Sequence, residues 1–209
     1  MSGLLMKDLL SLKRTLLGML GLMAIYGVVF SALMGDASSF LSSMLTVIFI
    51  TVTVSSFSYD ALVRWDRYAL SLPVSRRDLV ASKYLLAVVL AAVGAIAAFA
   101  MGVIMGLFHH DLVLEELGLS TVISVGGGLL IVAILLPLIF KFGVEKSRLM
   151  LIGVVLIPLG LVYLLKWLQI PQPDFSILMT QAWLAPLAGL LFLGLSYVIS
   201  VAIFQRKEL

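Results

Sequence analysis

Long apolar runs alternate with short charged connections along the chain. Six runs, 15–34, 40–57, 81–108, 119–140, 149–167 and 183–204, approach the about 20 residues that a helix needs to cross a bilayer. None carries a charge near its centre. The first run exceeds the roughly 7–15-residue core of a signal peptide, so the N-terminus is expected to stay on the chain. The predicted fold is all-α: one transmembrane domain over 1–209 with six spanning helices. A short interfacial amphipathic helix over 1–14 precedes the first span. A second cytoplasmic helix, within 59–80, joins spans two and three.

Composition supports this and removes whole classes of function. The chain has 209 residues, 62% of them hydrophobic and 12% charged, with a mean hydropathy of +1.19. Soluble domains run at about 45–50% apolar and about 25% charged, so a water-soluble enzyme is excluded. Disorder needs the opposite balance. There is no cysteine, hence no disulfide, thiolate metal site or cysteine nucleophile.

The net charge of +3 matters less than its placement. One set of connections holds thirteen of the fourteen basic residues: Lys7, Lys13 and Arg14; Arg64, Arg67, Arg76, Arg77 and Lys83; Lys141, Lys146 and Arg148; Arg206 and Lys207. The alternate set holds Lys166 with Asp36, Asp111, Glu115, Glu116 and Asp174. Basic loops face the cytoplasm, so both termini are expected there, and six spans satisfy that. Helix-weakening residues sit inside the spans: Gly126–Gly128 and Pro137 in the fourth, Pro158 in the fifth, Pro186 in the sixth. In the third, Gly94, Ala98, Gly102 and Gly106 form a small-residue stripe that lets another helix come close. It fits packing within the bundle, with a dimer seam as the alternative.

Two cytoplasmic segments carry the most information. At the N-terminus Leu5, Leu9, Leu12 and Leu16 recur at helical spacing while Lys7, Asp8, Ser11 and Arg14 lie elsewhere on the wheel, the pattern of an interfacial helix. Between spans two and three, Leu62, Trp65, Ala69 and Leu72 form one helical face, and Asp60, Arg64, Arg67 and Ser71 another. Asp60 precedes Arg64 by four residues, the favourable order for an ion pair. Pro73 stops this helix. Ser75 and Asp78 then form a capping box that starts the third span. Such a helix either seals the cytoplasmic surface or docks on a soluble partner and passes motion to the spans beside it. Trp65 and Tyr68 among Asp66, Arg64 and Arg67 suit a protein groove with a polar rim.

Chemistry within the chain is sparse. No phosphate-binding P-loop is present, so any use of ATP needs a partner chain. Adjacent His109, His110 and Asp111 read as a solvated loop rather than a metal site. Glu115–Glu116 resembles the glutamate pair of intramembrane CAAX-type proteases, but neither the arginine after the pair nor the later histidines of that family are present. The expected chain is therefore not an enzyme; it has no catalytic residue, no metal and no cofactor of its own, and it binds no nucleic acid. Polar groups that could line a path are few: Thr51 and Ser55 in span two, Tyr163 and Lys166 at the end of span five. Lys166 beside Trp167 also fits an interfacial anchor.

The N-terminal GLLMKDLLSLKR, the six spans and the segment YDALVRWDRYALSLPVSRRDLVASKYL resemble the permease subunits of ABC type-2 exporters. The resemblance covers the whole chain in layout and is most specific from Tyr59 to Leu85. Within the family it is similar to the membrane subunits of phenol-soluble-modulin and antimicrobial-peptide exporters of Gram-positive bacteria. It implies a bacterial cell-membrane subunit that pairs with a second copy and with two separate ATPase subunits, which hold ATP and Mg. It implies that Asp60, Arg64, Trp65, Asp66, Arg67, Tyr68 and Leu72 belong to a coupling helix. Leu5, Lys7, Asp8, Leu9 and Leu12 then belong to a connecting helix, and the cargo is amphipathic peptide. From Leu168 to Ala182 the outer loop is short, with little room for the re-entrant helices of larger members. An oligomeric membrane anchor or sensor component without an ATPase is the alternative from another class.

Overall fold

The computed structural model describes residues 2–34, 38–63, 65–69, 71, 74–109, 113–147 and 181–206, with scattered positions from 149 to 160. Every regular element among them is helical. They are α1 (Ser2–Met34), α2 (Ser38–Thr51), α3 (Thr53–Leu62), α4 (Trp65–Ala69), α5 (Arg76–His109), α6 (Leu114–Phe142) and, after a 3-10 turn at Ala182–Leu184, α7 (Ala185–Gln205). Five stretches among these residues are long and apolar enough to cross a membrane: Gly3–Gly27, Ser42–Leu62, Arg76–Phe108, Leu114–Phe142 and Ala182–Gln205. The expected fifth span, 149–167, lies largely outside the described residues.

Two boundaries differ from the sequence expectation. The N-terminal helix does not turn at residue 14; α1 runs unbroken from Ser2 to Met34. Its leucine face is real but covers protein rather than lipid headgroups. Leu12 is fully buried, and Leu5, Leu9, Leu16 and Met19 pack with it around Val52, Leu86 and Leu90. The second span also extends past residue 57, because Asp60 is still within α3. The loop helix shortens accordingly to the five residues of α4.

The bundle centres on α6, which packs along α7 and against α2 and α5. Glycines permit these approaches. A Cβ on Gly94 would stand 2.5 Å from the Phe49 Cβ, and one on Gly128 2.5 Å from the Ile50 Cδ1. A Cβ on Gly126 would stand 2.5 Å from the Ala185 carbonyl carbon, while Gly127 faces open space. Gly102 is likewise filled by Leu117. Thus Gly94 and Gly102, half of the small-residue stripe, serve packing within the subunit. α1 is peripheral and mostly exposed, whereas more than half of the second span is buried. Leu10, Leu17, Leu22, Ile25 and Val29 on α1 are exposed.

Pro137 leaves α6 unbroken, and the neighbouring helix accounts for the hydrogen bond that it deletes. Proline has no N–H, so the carbonyl four residues back, that of Ala133, loses its helical donor. Ser196 of α7 supplies one: its Oγ donates to Ala133 O at 2.5 Å. A hydroxyl has one proton, so Ser196 must accept from Tyr84 Oη, 2.7 Å away. Tyr84 then accepts from Ser200 Oγ, also at 2.7 Å. A single directed chain, Ser200 to Tyr84 to Ser196 to Ala133, thereby joins α5, α6 and α7 in an apolar setting.

Candidate functional site

Four ionisable side chains meet at the end of the bundle where α1 and α5 begin and α3 ends. Ser56 and Asp60 are four residues apart and share one face of α3. Lys7 and Asp8 come from α1 and Lys83 from the second turn of α5. Lys7 Nζ lies 2.9 Å from Asp8 Oδ1 and 2.6 Å from Asp60 Oδ1. Lys83 Nζ lies 3.0 Å from the same Asp8 oxygen and 2.5 Å from Asp60 Oδ2. The charges alternate around a closed ring, Lys7–Asp8–Lys83–Asp60, and sum to zero.

That arrangement explains how charges survive where they are. The side chain of Asp8 is 2% exposed, Lys83 9% and Asp60 11%. Buried ions are tolerated when each is paired and hydrogen-bonded. Lys83 has three protons to donate, and Asp8, Asp60 and Ser56 accept them. Its ammonium also lies 5.0 Å from the ring centre of Phe57. Lys7 is the more open cation, and its Nζ sits 4.3 Å over the Trp65 ring. Trp65 in turn lies 5.4 Å from Tyr68, centre to centre. The ring therefore joins α1, α3 and α5 to one another and, through Lys7, to α4. Beside it opens a cavity of about 200 Å³ with an apolar floor that includes Phe140 and Phe204.

The start of α5 folds as its sequence predicts. Asp78 N–H donates to Ser75 Oγ at 3.1 Å, Ser75 N–H to Asp78 Oδ2 at 3.3 Å, and Ser75 Oγ to the same carboxylate at 2.6 Å. This capping box starts α5. Within the same box, the Arg76 guanidinium donates to Phe204 O at 3.1 Å and Gln205 O at 3.0 Å, carbonyls at the C-terminus of α7.

Of the expected site residues, Lys7, Asp8, Asp60 and Trp65 come together. Leu5, Leu9 and Leu12 form the neighbouring apolar contact of α1. Asp60 pairs with Lys7 and Lys83, whereas Arg64, its expected helical partner, lies outside the described residues, as do Leu72, Tyr163 and Lys166. Tyr68 is exposed on α4, and Asp66 and Arg67 belong to the same helix. Thr51 and Ser55 are half-buried in the middle of the second span, with the Thr51 hydroxyl donating to Ile48 O at 2.8 Å. They are remote in sequence from the ring's contributors on α1 and α5. No group of three potential metal ligands occurs among the described residues.

Sequence reasoning missed Lys83, which was assigned only to topology. The signal was present: a lone lysine inside the apolar run VASKYLLAVVL needs a counter-ion. The Tyr84–Ser196–Ser200 seam was missed too, although Pro137 announces a carbonyl in need of a donor.

A bundle of apolar helices, tied at one end by a neutral ion ring beside a short connecting helix, defines a multi-pass membrane protein. Residues 3–205 match the family model described as ABC-2 family transporter protein. The chain belongs to that family, and is thus a membrane transport subunit of an ABC transporter. No curated protein and no solved structure matches it.

Proposed function

We propose that this chain is the permease of an ATP-driven exporter in a bacterial cytoplasmic membrane, with both termini in the cytoplasm. Two copies form the path, and each engages a separate ATPase subunit that holds ATP and Mg. Its cargo is amphipathic peptide, whose apolar face suits spans with few polar side chains. The family match, which implies association with ABC ATPases, supports this.

The observation that carries the mechanism is the linkage of α4 to the ion ring. Trp65 rests against Lys7, and Lys7 shares both carboxylates with Lys83. A push on α4 by a closing ATPase therefore reaches α1, α3 and α5 through charge-assisted contacts rather than through a slack loop. Such contacts are short and directional, which suits transmission of small displacements.

The test is co-purification. Tagged chain, extracted under conditions that preserve membrane complexes, is expected to carry down an untagged ATPase encoded nearby. In liposomes, short helical peptides are expected to stimulate hydrolysis by that complex. A chain that purifies alone favours the anchor or sensor reading. Stimulation by soluble polar compounds, with none by amphipathic peptides, overturns the cargo assignment.

A further inference from the structure

The second span is not one rod. α2 ends at Thr51 and α3 begins at Thr53, with Val52 between them at φ −58° and ψ −23°, still in the right-handed helical region. The Val52 N–H is shared between Ile48 O at 3.1 Å and Phe49 O at 3.3 Å. Ser55 N–H reaches only three residues back, to Val52 O at 2.9 Å. Beside this turn, Thr53 is fully buried, and its hydroxyl has no hydrogen-bond partner among the described residues. The span's other buried hydroxyls are satisfied: Ser42 bonds Thr121, Thr46 donates to Ser42 O, and Ser56 accepts from Lys83. Thr53 shares a helical face with Ile50 and Phe57. Those two meet α6 at Gly128 and Phe140. Between those contacts, residues 129–140 of α6 carry no hydrogen-bonding side chain.

The two halves are held by different means. α2 is clamped by close packing, Phe49 on Gly94 and Ile50 on Gly128, and by the Ser42–Thr121 bond at 2.9 Å. Among the described residues, α3 makes no such close approach at a glycine: Phe57 meets the Phe140 ring edge-on at 5.2 Å, and the rest of its hold is polar side-chain tips, the ion ring and a 2.9 Å bond between Tyr59 and Thr15. The charged tips keep hold of α3 as it moves and pass its displacement to α1 and α5, whereas the interlocked backbones hold α2 in place.

We propose that Val52 is a hinge on which α3 and α4 swing as one arm against a fixed α2, with Thr53 as its positioning residue. When the turn straightens, the Thr53 hydroxyl comes within reach of the Phe49 carbonyl one turn back, the bond that helical threonines ordinarily make. The present bent form lacks that bond, and the straightened form gains it. Short 3-10 stretches inside longer helices recur at such hinges. The inference rests on the permease reading only for what drives the arm.

The absence of cysteine makes the test direct. Spin-label pairs are placed on the full chain alone, in lipid nanodiscs. Leu62→Cys with Phe142→Cys reports α3 against α6; Met44→Cys with Ile123→Cys reports α2 against α6. All four positions are exposed. A swing of about 20° on a ten-residue arm rising about 1.5 Å per residue moves its tip by roughly 5 Å. The first pair is expected to show two distances about that far apart, and the second pair one. Thr53→Val, or Thr53→Ala as a second hydroxyl-free variant, should deplete the straightened population about tenfold, and Thr53→Ser should keep it. A single distance for both pairs, both pairs shifting together, or Thr53→Val behaving as Thr53→Ser overturns the hinge. No ATPase is present in this experiment, so failure of an ATPase to co-purify would count against the permease reading alone.

Discussion

Replacing Lys83 by alanine removes a cation whose three protons are all used inside the protein. What remains is Asp8, 2% exposed, and Asp60, 11% exposed, with only Lys7 to neutralise both. One buried negative charge is then uncompensated. Breaking a buried ion pair from one side costs about 3–5 kcal/mol, far more than the net worth of the intact pair. Lys7→Ala also leaves a charge imbalance, but Lys7 is 27% exposed, and water replaces part of what it supplied. Its loss is expected to cost about 1–2 kcal/mol. The double variant Lys83→Met with Asp60→Asn leaves Lys7 and Asp8 as a neutral pair and should return to within about 1 kcal/mol of the wild type. Thermal unfolding in nanodiscs reads the order. A chain of this length shifts by about 2–4 °C per kcal/mol, so Lys83→Ala should fall by about 10 °C and the double variant by only a few degrees. Lys83→Ala no more harmful than Lys7→Ala, or a double variant no better than the single, would refute the ring as an interdependent unit.

Three further outcomes are expected. Ser196→Ala strips the Ala133 carbonyl of its donor and Tyr84 of one of its two partners and should cost about 1–3 kcal/mol; Pro137→Ala should restore part of that loss in a double-mutant cycle, since the helix then satisfies its own carbonyl. Gly126→Ala should destabilise by about 1–3 kcal/mol through overpacking against Ala185, whereas Gly127→Ala next to it should be neutral or slightly stabilising; equal effects in thermal scans count against the α6–α7 contact. Trp65→Ala should weaken ATPase binding by about 2 kcal/mol if it anchors that interface, with membrane insertion unchanged; unaltered complex stability in a pull-down removes Trp65 from the coupling role.

Much of the fold was legible because hydropathy and capping are local properties. Five of the expected spans recur as apolar helices; four have ends displaced by at most five residues, while the first starts at Gly3 rather than at residue 15. The Ser75–Asp78 box formed at its predicted place because both partners lie within one turn. The leucine face of residues 5–16 was also correct as a face. Its target was misjudged, since periodicity says which side is apolar and not whether lipid or protein covers it. The expected turn near residue 14 failed for a related reason: charged residues at 13 and 14 do not interrupt helical hydrogen bonds.

By itself, the sequence determined that this is a polytopic helical membrane chain with one strongly basic set of connections and no P-loop motif. It placed Lys7, Asp8, Asp60 and Trp65 among the residues of interest through their local wheels. Only the tertiary structure decided whom they meet. Lys83 finds Asp60 across 23 residues and Asp8 across 75, and Tyr84 finds Ser196 across 112. Those partnerships depend on how closely helices approach. That approach is set by where glycines admit Phe49, Ile50 and Ala185, and so by shape complementarity between distant segments. A one-dimensional pattern carries the need of a buried charge or a freed carbonyl for a partner; the three-dimensional packing names the partner.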